Sequence, residues 1–275
     1  MLLTTSEYEM FVEFIYNQTG MHFDERKNAF IAKRVNTRME EIGEINYEDY
    51  LNLLKFRDGD KVELQQLINL LTINESYFFR DFPQIESFAN HCLIDVAQRK
   101  AAADDFTIRI WSAGCSSGDE TYTLAIVLSE ILDVKKWKIE IVASDIDLAI
   151  LAKAKKGIYD ERSIKDTPPE YLDKYFTTHN QRYKVIDKIK EMIHFEHVNL
   201  IDVREMRKKR NFDFIFCRNV LIYFNELSRK KVVDNFYISL NRGGYIFLGS
   251  SESINRITTA FTMKKKGNYL VYTKD

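Results

Sequence analysis

Five residues of types suited to holding a ligand occur at short spacing near the middle of the chain: Gly114, Ser116, Gly118, Asp119 and Glu120. Small residues at alternate positions allow the backbone to turn sharply and to approach a ligand closely. The N–H groups that open a following helix favour anionic or strongly polar ligand groups. Two acids directly after the last glycine instead suit a ligand that also carries a cation, which argues against a phosphate.

A predicted strand and a predicted helix position this loop. The β-branched run 107–111 predicts a buried strand, and residues 120–128 are good helix formers. The segment from Gly114 to Gly118 also matches G-x-S-x-G, the nucleophile elbow of serine hydrolases. Taken alone, the loop is equally consistent with a nucleotide-type loop, an elbow and a purely structural turn.

Composition excludes several classes of protein. The 275 residues include 40 basic and 41 acidic side chains, so the formal charge of −1 gives no indication of nucleic-acid or membrane-surface binding. The N-terminal acids do not fit a signal peptide, and no apolar run approaches membrane-spanning length. Three widely spaced cysteines disfavour a disulfide framework and a zinc site: Cys92, Cys115 and Cys217. We therefore expect a cytoplasmic protein without membrane insertion.

The first third of the chain predicts an all-α domain over residues 1–85, because its apolar residues recur at helical spacing. Ser6 with Glu9 is typical of a capping box, and Gly20 and Gly43 are typical of helix ends. A basic segment within this domain has no acid between residues 26 and 39, and positions 27, 34 and 38 share one helix face. Its cations suit either a solvated surface or a docking face for an acidic partner: Arg26, Lys27, Lys33, Arg34 and Arg38.

Residues 71–81, LTINESYFFRD, have an unusual composition for a linker. Asn74, Ser76 and Arg80 alternate with three aromatic residues that predict an anchored backbone. The polar side chains are therefore candidates for the mouth of a pocket. On the alternative interpretation the aromatic residues belong to the core, and Arg80 pairs with a nearby acid.

After residue 105, strands alternate with helices, which predicts a mostly parallel, doubly wound α/β sheet. The predicted strand 139–143 ends near Asp145, and an acid at this position commonly holds ribose hydroxyls. Asp147 is the better N-cap for the next helix. The predicted strand 212–217 ends in Arg218 and Asn219, beside the first strand, where ligands bind in such sheets. Residues 157–194 contain a predicted hairpin and form a small β insertion.

Several chemistries can be set aside. His194 and His197 lie three residues apart in a predicted strand, so they face opposite sides and do not predict a metal site. A serine hydrolase needs its histidine near the end of the chain, yet a complete strand-helix-strand unit follows His197. A dehydrogenase would have a tighter glycine pattern. The loop, Asp145 and the polar end of the fourth strand together favour an adenosine ligand with a charged amino-acid tail, S-adenosylmethionine.

Six segments carry a resemblance and span nearly the whole chain: LTINESYFFRD, IWSAGCSSGDETYTLA, SDID, HFEHVNL, FDFIFCRNVLIYF and GGYIFLGSSE. In this order they resemble the chemotaxis receptor protein-glutamate O-methyltransferases. The resemblance implies a helical N-terminal domain and a methyltransferase domain over residues 86–275 that contains the β insertion. The chain departs from the family pattern at Ser76, Asp119, Thr121 and Ser250.

The resemblance also implies the site. The cofactor would be S-adenosyl-L-methionine, with S-adenosyl-L-homocysteine as product. The cofactor contacts, to which the loop adds Gly114, would be Asn74, Ser76, Arg80, Glu120, Asp145, Asn199, Leu200, Arg218 and Asn219. Tyr223 would line the reactive end. We expect Arg80 to hold the substrate carboxylate and Tyr223 to orient it; on the alternative, Arg80 contacts only the cofactor. A glutamate side chain is ionised at neutral pH, so it needs neither a general base nor a metal.

The expected partner is the cytoplasmic helical bundle of chemotaxis receptors, which the basic segment would dock, and we expect a monomer. Two alternatives stay open. A nucleic-acid methyltransferase would share the cofactor site, although amino-directed ones usually have N/D-P-P-Y/F where this chain has RNVL from Arg218 onward. A non-catalytic adaptor that binds the cofactor as a sensor is the second.

Overall fold

The N-terminal part of the computed structural model, which describes residues 2–275, is helical. Its helices are α1 (Thr5–Thr19), α2 (Asn28–Ile42), α3 (Tyr47–Asn52) and α4 (Val62–Leu71). As predicted, α1 and α2 end at Gly20 and Gly43, which both adopt left-handed conformations. The predicted cap of α1 is wrong: the capping box is formed by Thr4 and Glu7, because Thr4 has the extended backbone of an N-cap residue and Ser6 already lies inside the helix.

Within the linker that follows α4, the chain passes from one hydrophobic core to another. Apolar residues from Leu3 to Leu71 form one cluster between the helices, whereas Phe78, Phe79 and Ile85 belong to the core of the following sheet. The linker leads into α5 (Phe82–Ser87) and α6 (Ile94–Ala102), which a π-helical segment joins. The predicted boundary at residue 85 therefore falls inside α5, and the change of core comes between Leu71 and Phe78.

The rest of the chain forms the predicted α/β sheet with its insertion. The strands are β1 (Thr107–Ala113), β2 (Lys138–Asp145), β3 (Ile158–Tyr159), β4 (Phe176–His179), β5 (Arg182–Val185), β6 (Ile193–His197), β7 (Phe212–Cys217), β8 (Leu240–Leu248), β9 (Thr262–Lys266) and β10 (Tyr269–Thr273). Seven of the described strands form one sheet in the order β6-β2-β1-β7-β8-β10-β9. The first five are parallel, and β10 pairs antiparallel with both neighbours. This confirms the mostly parallel, doubly wound fold.

Helices cover the faces of this sheet and fill the insertion. They are α7 (Asp119–Ile131), α8 (Leu148–Lys156), α9 (Glu161–Ile164), α10 (Pro169–Tyr175), α11 (Asp187–Lys190), α12 (Val203–Met206) and α13 (Glu226–Ser239). The insertion has a small antiparallel sheet in the order β3-β5-β4. The predicted hairpin of the insertion turns at Asn180 and Gln181, which are both at positive φ. No helix within residues 2–275 is both long enough and apolar enough to cross a membrane.

Candidate functional site

A cavity with an empty volume of about 1080 Å³, its open mouth included, lies at the carboxyl ends of the parallel strands. Ligands bind at this edge in doubly wound sheets. The cavity is lined by the segments that follow β1, β2, β6 and β7, by the linker after α4 and by the end of α1. It brings together Tyr223 and all ten residues predicted to contact the cofactor: Asn74, Ser76, Arg80, Gly114, Glu120, Asp145, Asn199, Leu200, Arg218 and Asn219.

The loop after β1 forms the floor of the cavity. Gly114 has a φ of 81°, and a Cβ atom there would lie 2.3 Å from Cγ2 of Val220, so only glycine fits. The N–H groups of Gly114 and Cys115 donate to the carbonyl of Ser144 at 2.8 and 2.9 Å, which fixes the turn against β2. Gly118 is the N-cap of α7, whose first residues are the two acids. The left-handed conformation of Gly114 and the close approach of Val220 together shape this loop into a narrow cradle.

Asp145 lies at the end of β2 and is 8% exposed. Its carboxylate accepts the N–H groups of Ser116 at 2.8 Å and Asp147 at 3.0 Å, so one side chain links two loops. Burial raises the pKa of Asp145 to about 6. Asp147 instead accepts from Ile150 N–H and from Asn74 Nδ2, so it caps α8, as predicted, and anchors the linker.

A buried ion pair crosses the cavity. The side chain of Arg218 is 6% exposed and that of Glu120 is 13% exposed, and Nη1 of Arg218 lies 3.3 Å from Oε2 of Glu120. Nη2 of Arg218 donates to the Arg80 carbonyl at 2.8 Å, and it lies 3.7 Å from Oδ2 of Asp81. Ser112 donates its hydroxyl to the other oxygen of Glu120. Arg218 therefore joins the end of β7 to the start of α7 and to the linker.

Arg80 and Tyr223 stand at the part of the cavity bordered by the linker. Nη1 of Arg80 donates to the Glu75 carbonyl at 3.1 Å, and its guanidinium lies 5.6 Å from the centre of the Tyr77 ring. The Tyr223 hydroxyl donates to the Ile73 carbonyl at 3.4 Å. Burial raises the pKa of Tyr223 above its ordinary value, so the phenol stays protonated at neutral pH. Arg80 offers a cation and Tyr223 a hydrogen-bond donor.

Residues from the end of α1 also line the cavity, and sequence reasoning missed them. Thr19 and Met21 belong to the N-terminal helical part, and Met21 forms an isolated antiparallel bridge with Phe224. The N–H of His22 donates to the carbonyl of Tyr223 at 2.8 Å. No local pattern signals this contact, because it joins segments about 200 residues apart. Sequence reasoning also missed the following apolar residues that line the cavity, because segments distant in the chain bring them together: Ile73, Ile146, Val198 and Val220.

The basic segment is not one exposed basic face. Arg26 precedes α2 in a short 3-10 turn and pairs with Asp24. The side chain of Arg38 is only 12% exposed, and its guanidinium pairs with Glu63 at 2.6 Å and also with Glu41. These acids lie outside the segment in sequence, so the composition of the segment does not reveal them.

The other cations of this segment differ in exposure. Arg34 lies 3.6 Å from the centre of the Phe30 ring and donates to two backbone carbonyls. Lys27 and Lys33 are exposed. The exposed positive charge is therefore concentrated on residues 26, 27 and 33.

The cavity suits a ligand with an adenosine part and a zwitterionic tail. Arg218 lines the cavity and offers a cation that fits a carboxylate. Glu120 and Asp145 offer carboxylates, and Ile146, Val198 and Leu200 offer apolar surface. No group of three or more His, Cys, Asp or Glu side chains that could hold a metal occurs among the described residues.

Comparisons with known proteins agree with this geometry. Residues 74–270 match the family model of the CheR methyltransferase SAM binding domain, and residues 6–72 match that of the CheR methyltransferase all-alpha domain. Chemotaxis protein methyltransferase 2 of Vibrio cholerae is 40% identical over 266 residues, which cover 96% of this chain and 91% of that protein. The chemotaxis protein methyltransferase of Borreliella burgdorferi is 33% identical and covers 92% of this chain and 89% of its own.

The chemotaxis protein methyltransferase of Escherichia coli is 30% identical over 271 residues, which cover 97% of this chain and 91% of that protein. Both family models together span almost the whole chain, and they divide it at the linker that follows α4. The chain belongs to the CheR methyltransferase family and is an S-adenosylmethionine-dependent methyltransferase.

Proposed function

We propose that this protein transfers a methyl group from S-adenosyl-L-methionine to glutamate side chains in the cytoplasmic helical bundle of chemotaxis receptors. The products would be glutamate methyl esters and S-adenosyl-L-homocysteine. The observation that carries the proposal is that one cavity brings Tyr223 together with the predicted cofactor residues, Arg80 among them. The printed names of the relatives support the connection to chemotaxis.

Some residues of the cavity would hold the cofactor, and others would align the substrate carboxylate. Asp145 would accept the ribose hydroxyls, and Arg218 would hold the carboxylate of the amino-acid tail. The other cofactor contacts would be Asn74, Ser76, Asn199, Leu200 and Asn219. Gly114 would leave room at the floor of the cavity, because it has no side chain. When bound, the cofactor supplies a methyl group activated by its sulfonium. Arg80 would orient an already ionised substrate carboxylate, and the Tyr223 hydroxyl would donate to it, so alignment and exclusion of water are the main contributions of the chain.

A labelling experiment tests the reaction and the atom that receives the methyl group. The protein is incubated with methyl-radiolabelled cofactor and either receptor cytoplasmic domains or RNA. We expect label on the receptor alone. Mild base should release it as volatile methanol, because esters hydrolyse under conditions in which N-methyl groups persist. Label that resists base, or label on RNA, would overturn the glutamate assignment, and cofactor binding without any transfer would support the adaptor alternative.

Ser116 should not act as a nucleophile, although it occupies the serine position of the hydrolase pattern. Its N–H is held by Asp145, and its hydroxyl has only a long contact of 3.4 Å with Asn74 Oδ1. We expect Ser116→Ala to keep methyl transfer within about threefold of wild type, since only one weak side-chain hydrogen bond is lost. Covalent labelling by a fluorophosphonate that Ser116→Ala abolishes would contradict this prediction.

Exposed positive charge at the start of α2 is proposed to dock the acidic receptor bundle. Because Arg34 and Arg38 have structural partners, the informative change is the double reversal Lys27→Glu with Lys33→Glu. We expect the Michaelis constant for receptor to rise about three- to tenfold at low salt, because exposed charges act mainly on encounter and are screened within about 8 Å at physiological salt. Cofactor affinity should be unchanged.

A matched reversal separates docking from net charge. Arg207 and Lys208 are exposed and lie between α12 and β7, at the edge of the sheet opposite the cavity. Reversing both to glutamate changes the net charge equally and should leave the Michaelis constant as in wild type. Equal effects of the two double variants would place docking elsewhere on the surface.

We further propose that the protein works as a cytoplasmic monomer, which sedimentation with and without receptor would check.

A further inference from the structure

The loops that follow β7 and β8 are joined by one carboxylate. Cys217 and Leu248 are partners at the ends of these parallel strands, so the two loops leave the sheet side by side. Oε2 of Glu252 accepts the N–H of Asn219 at 2.8 Å and the N–H of Gly249 at 2.7 Å. Glu252 does not line the cavity, but it holds the backbone of a residue that does.

Asn219 needs this support because its backbone is in an uncommon conformation. Its φ of 59° is left-handed, which asparagine tolerates better than most residues but which needs stabilising contacts. Arg218 on one side reaches across the cavity to Glu120, and Val220 on the other side packs over Gly114. A rotation of the Asn219 backbone would therefore displace the whole loop 218–223, including Tyr223.

The turn at Glu252 does not itself require the carboxylate. The backbone N–H of Glu252 already donates to the carbonyl of Gly249 at 2.9 Å, which closes the turn. A Cβ atom at Gly249 would lie 2.8 Å from Oε2 of Glu252 and 3.0 Å from the nitrogen of Asn219, so the glycine leaves room for the bridge. Oε1 of Glu252 is buried without a hydrogen-bond partner within residues 2–275, so the hydrogen bonds of this carboxylate are the two that Oε2 accepts from Asn219 and Gly249.

We propose that Glu252 is a positioning residue for methyl transfer: its carboxylate fixes the backbone of Asn219 and thereby the loop that carries Arg218 and Tyr223. The inference rests on the proposed function for its kinetic consequence, but the hold on Asn219 is a property of the protein alone.

Kinetics and amide exchange together test the proposal. We expect Glu252→Ala to lower kcat for receptor methylation about 10- to 100-fold, because small misplacements of aligned groups have effects of that size. The dissociation constant of S-adenosyl-L-homocysteine should rise as well, because Arg218 and Asn219 belong to the proposed cofactor contacts, so kcat is measured at saturating cofactor. Glu252→Gln keeps an acceptor oxygen and should recover most of the rate. The exposed Glu191 gives a control variant, Glu191→Ala, without any effect.

Hydrogen exchange reports on the bridge directly. The amides of Asn219 and Gly249 should be protected in the wild type and in Glu252→Gln and should exchange faster only in Glu252→Ala. An alanine variant with unchanged kcat would overturn the proposal, as would a glutamine variant as slow as the alanine variant. A rate loss in Glu252→Ala that disappears when the assay is run well below the melting temperature of the variant would show a structural role only. If the wild type does not methylate receptor, the proposed function fails, and the exchange comparison alone decides whether Glu252 holds Asn219.

Discussion

Replacing Asp145 by alanine is expected to weaken binding of S-adenosyl-L-homocysteine about 10- to 150-fold, because a hydrogen bond to a charged acceptor contributes roughly 1.5 to 3 kcal/mol. The same change also removes the acceptor for the N–H groups of Ser116 and Asp147, so the cavity floor loses support. Titration calorimetry of the folded variant measures the affinity. Unchanged affinity in a folded Asp145→Ala protein would contradict the assignment of Asp145 to the ribose.

The titration of Asp145 gives a second measure of the same contact. Its pKa is raised to about 6 by burial, so the carboxylate is ionised at pH 7.5 and becomes protonated as the pH falls through 6. The protonated form has lost its charge and accepts hydrogen bonds less well. Affinity should therefore fall between pH 7.5 and pH 5 in the wild type. Asp145→Asn should bind weakly at every pH and show a flatter profile, and the comparison removes contributions from other groups.

The second large effect is expected at Arg218. Arg218→Met removes a buried cation that contacts Glu120, Asp81 and the Arg80 carbonyl, and it leaves the Glu120 carboxylate buried without its partner. Breaking such a pair from one side costs about 3–5 kcal/mol, so the free energy of unfolding should fall by about that amount. Urea unfolding measures this change. Binding of S-adenosyl-L-homocysteine should also weaken, because a cation that lines the cavity disappears.

A double variant separates the two roles of Arg218. Adding Glu120→Gln to Arg218→Met neutralises the stranded carboxylate and should recover part of the stability. It should not recover cofactor affinity, since neither change restores a cation. A single Arg218→Met variant as stable as the wild type would show that the ion pair is energetically neutral. Recovery of affinity in the double variant would remove Arg218 from the proposed cofactor contacts.

Local features of the structure were predictable from the sequence. Helix α8 spans Leu148–Lys156 as its pattern indicates, because the Asp147 cap and Gly157 mark its ends in sequence. The N-cap role of Asp147 followed from the same local rule. The cavity at the switch point followed from the order of strands and helices, since ends of parallel strands must meet at one edge.

Contacts between distant segments were not predictable in this way. The exposure of Arg38 depends on Glu63, which no local window includes. Strand β9 was missed because its sequence TMKKK lacks an apolar pattern, and it exists as an edge strand only because β10 pairs with it. The π-helical segments Leu53–Arg57 and Phe88–Leu93 have no sequence signal that we recognise. The bridge between Met21 and Phe224 likewise arises only from tertiary packing.

The bridge between Met21 and Phe224 also has a consequence for the stability of the protein when cofactor is scarce. Because Thr19 and Met21 of the helical part line the cavity together with residues from the strand ends, a ligand that contacts both would bind most tightly to molecules in which both are assembled. At a ligand concentration of 100 times its dissociation constant this linkage amounts to about 2.7 kcal/mol. Bound cofactor would thus oppose detachment of the N-terminal helices and so protect the chain from proteases.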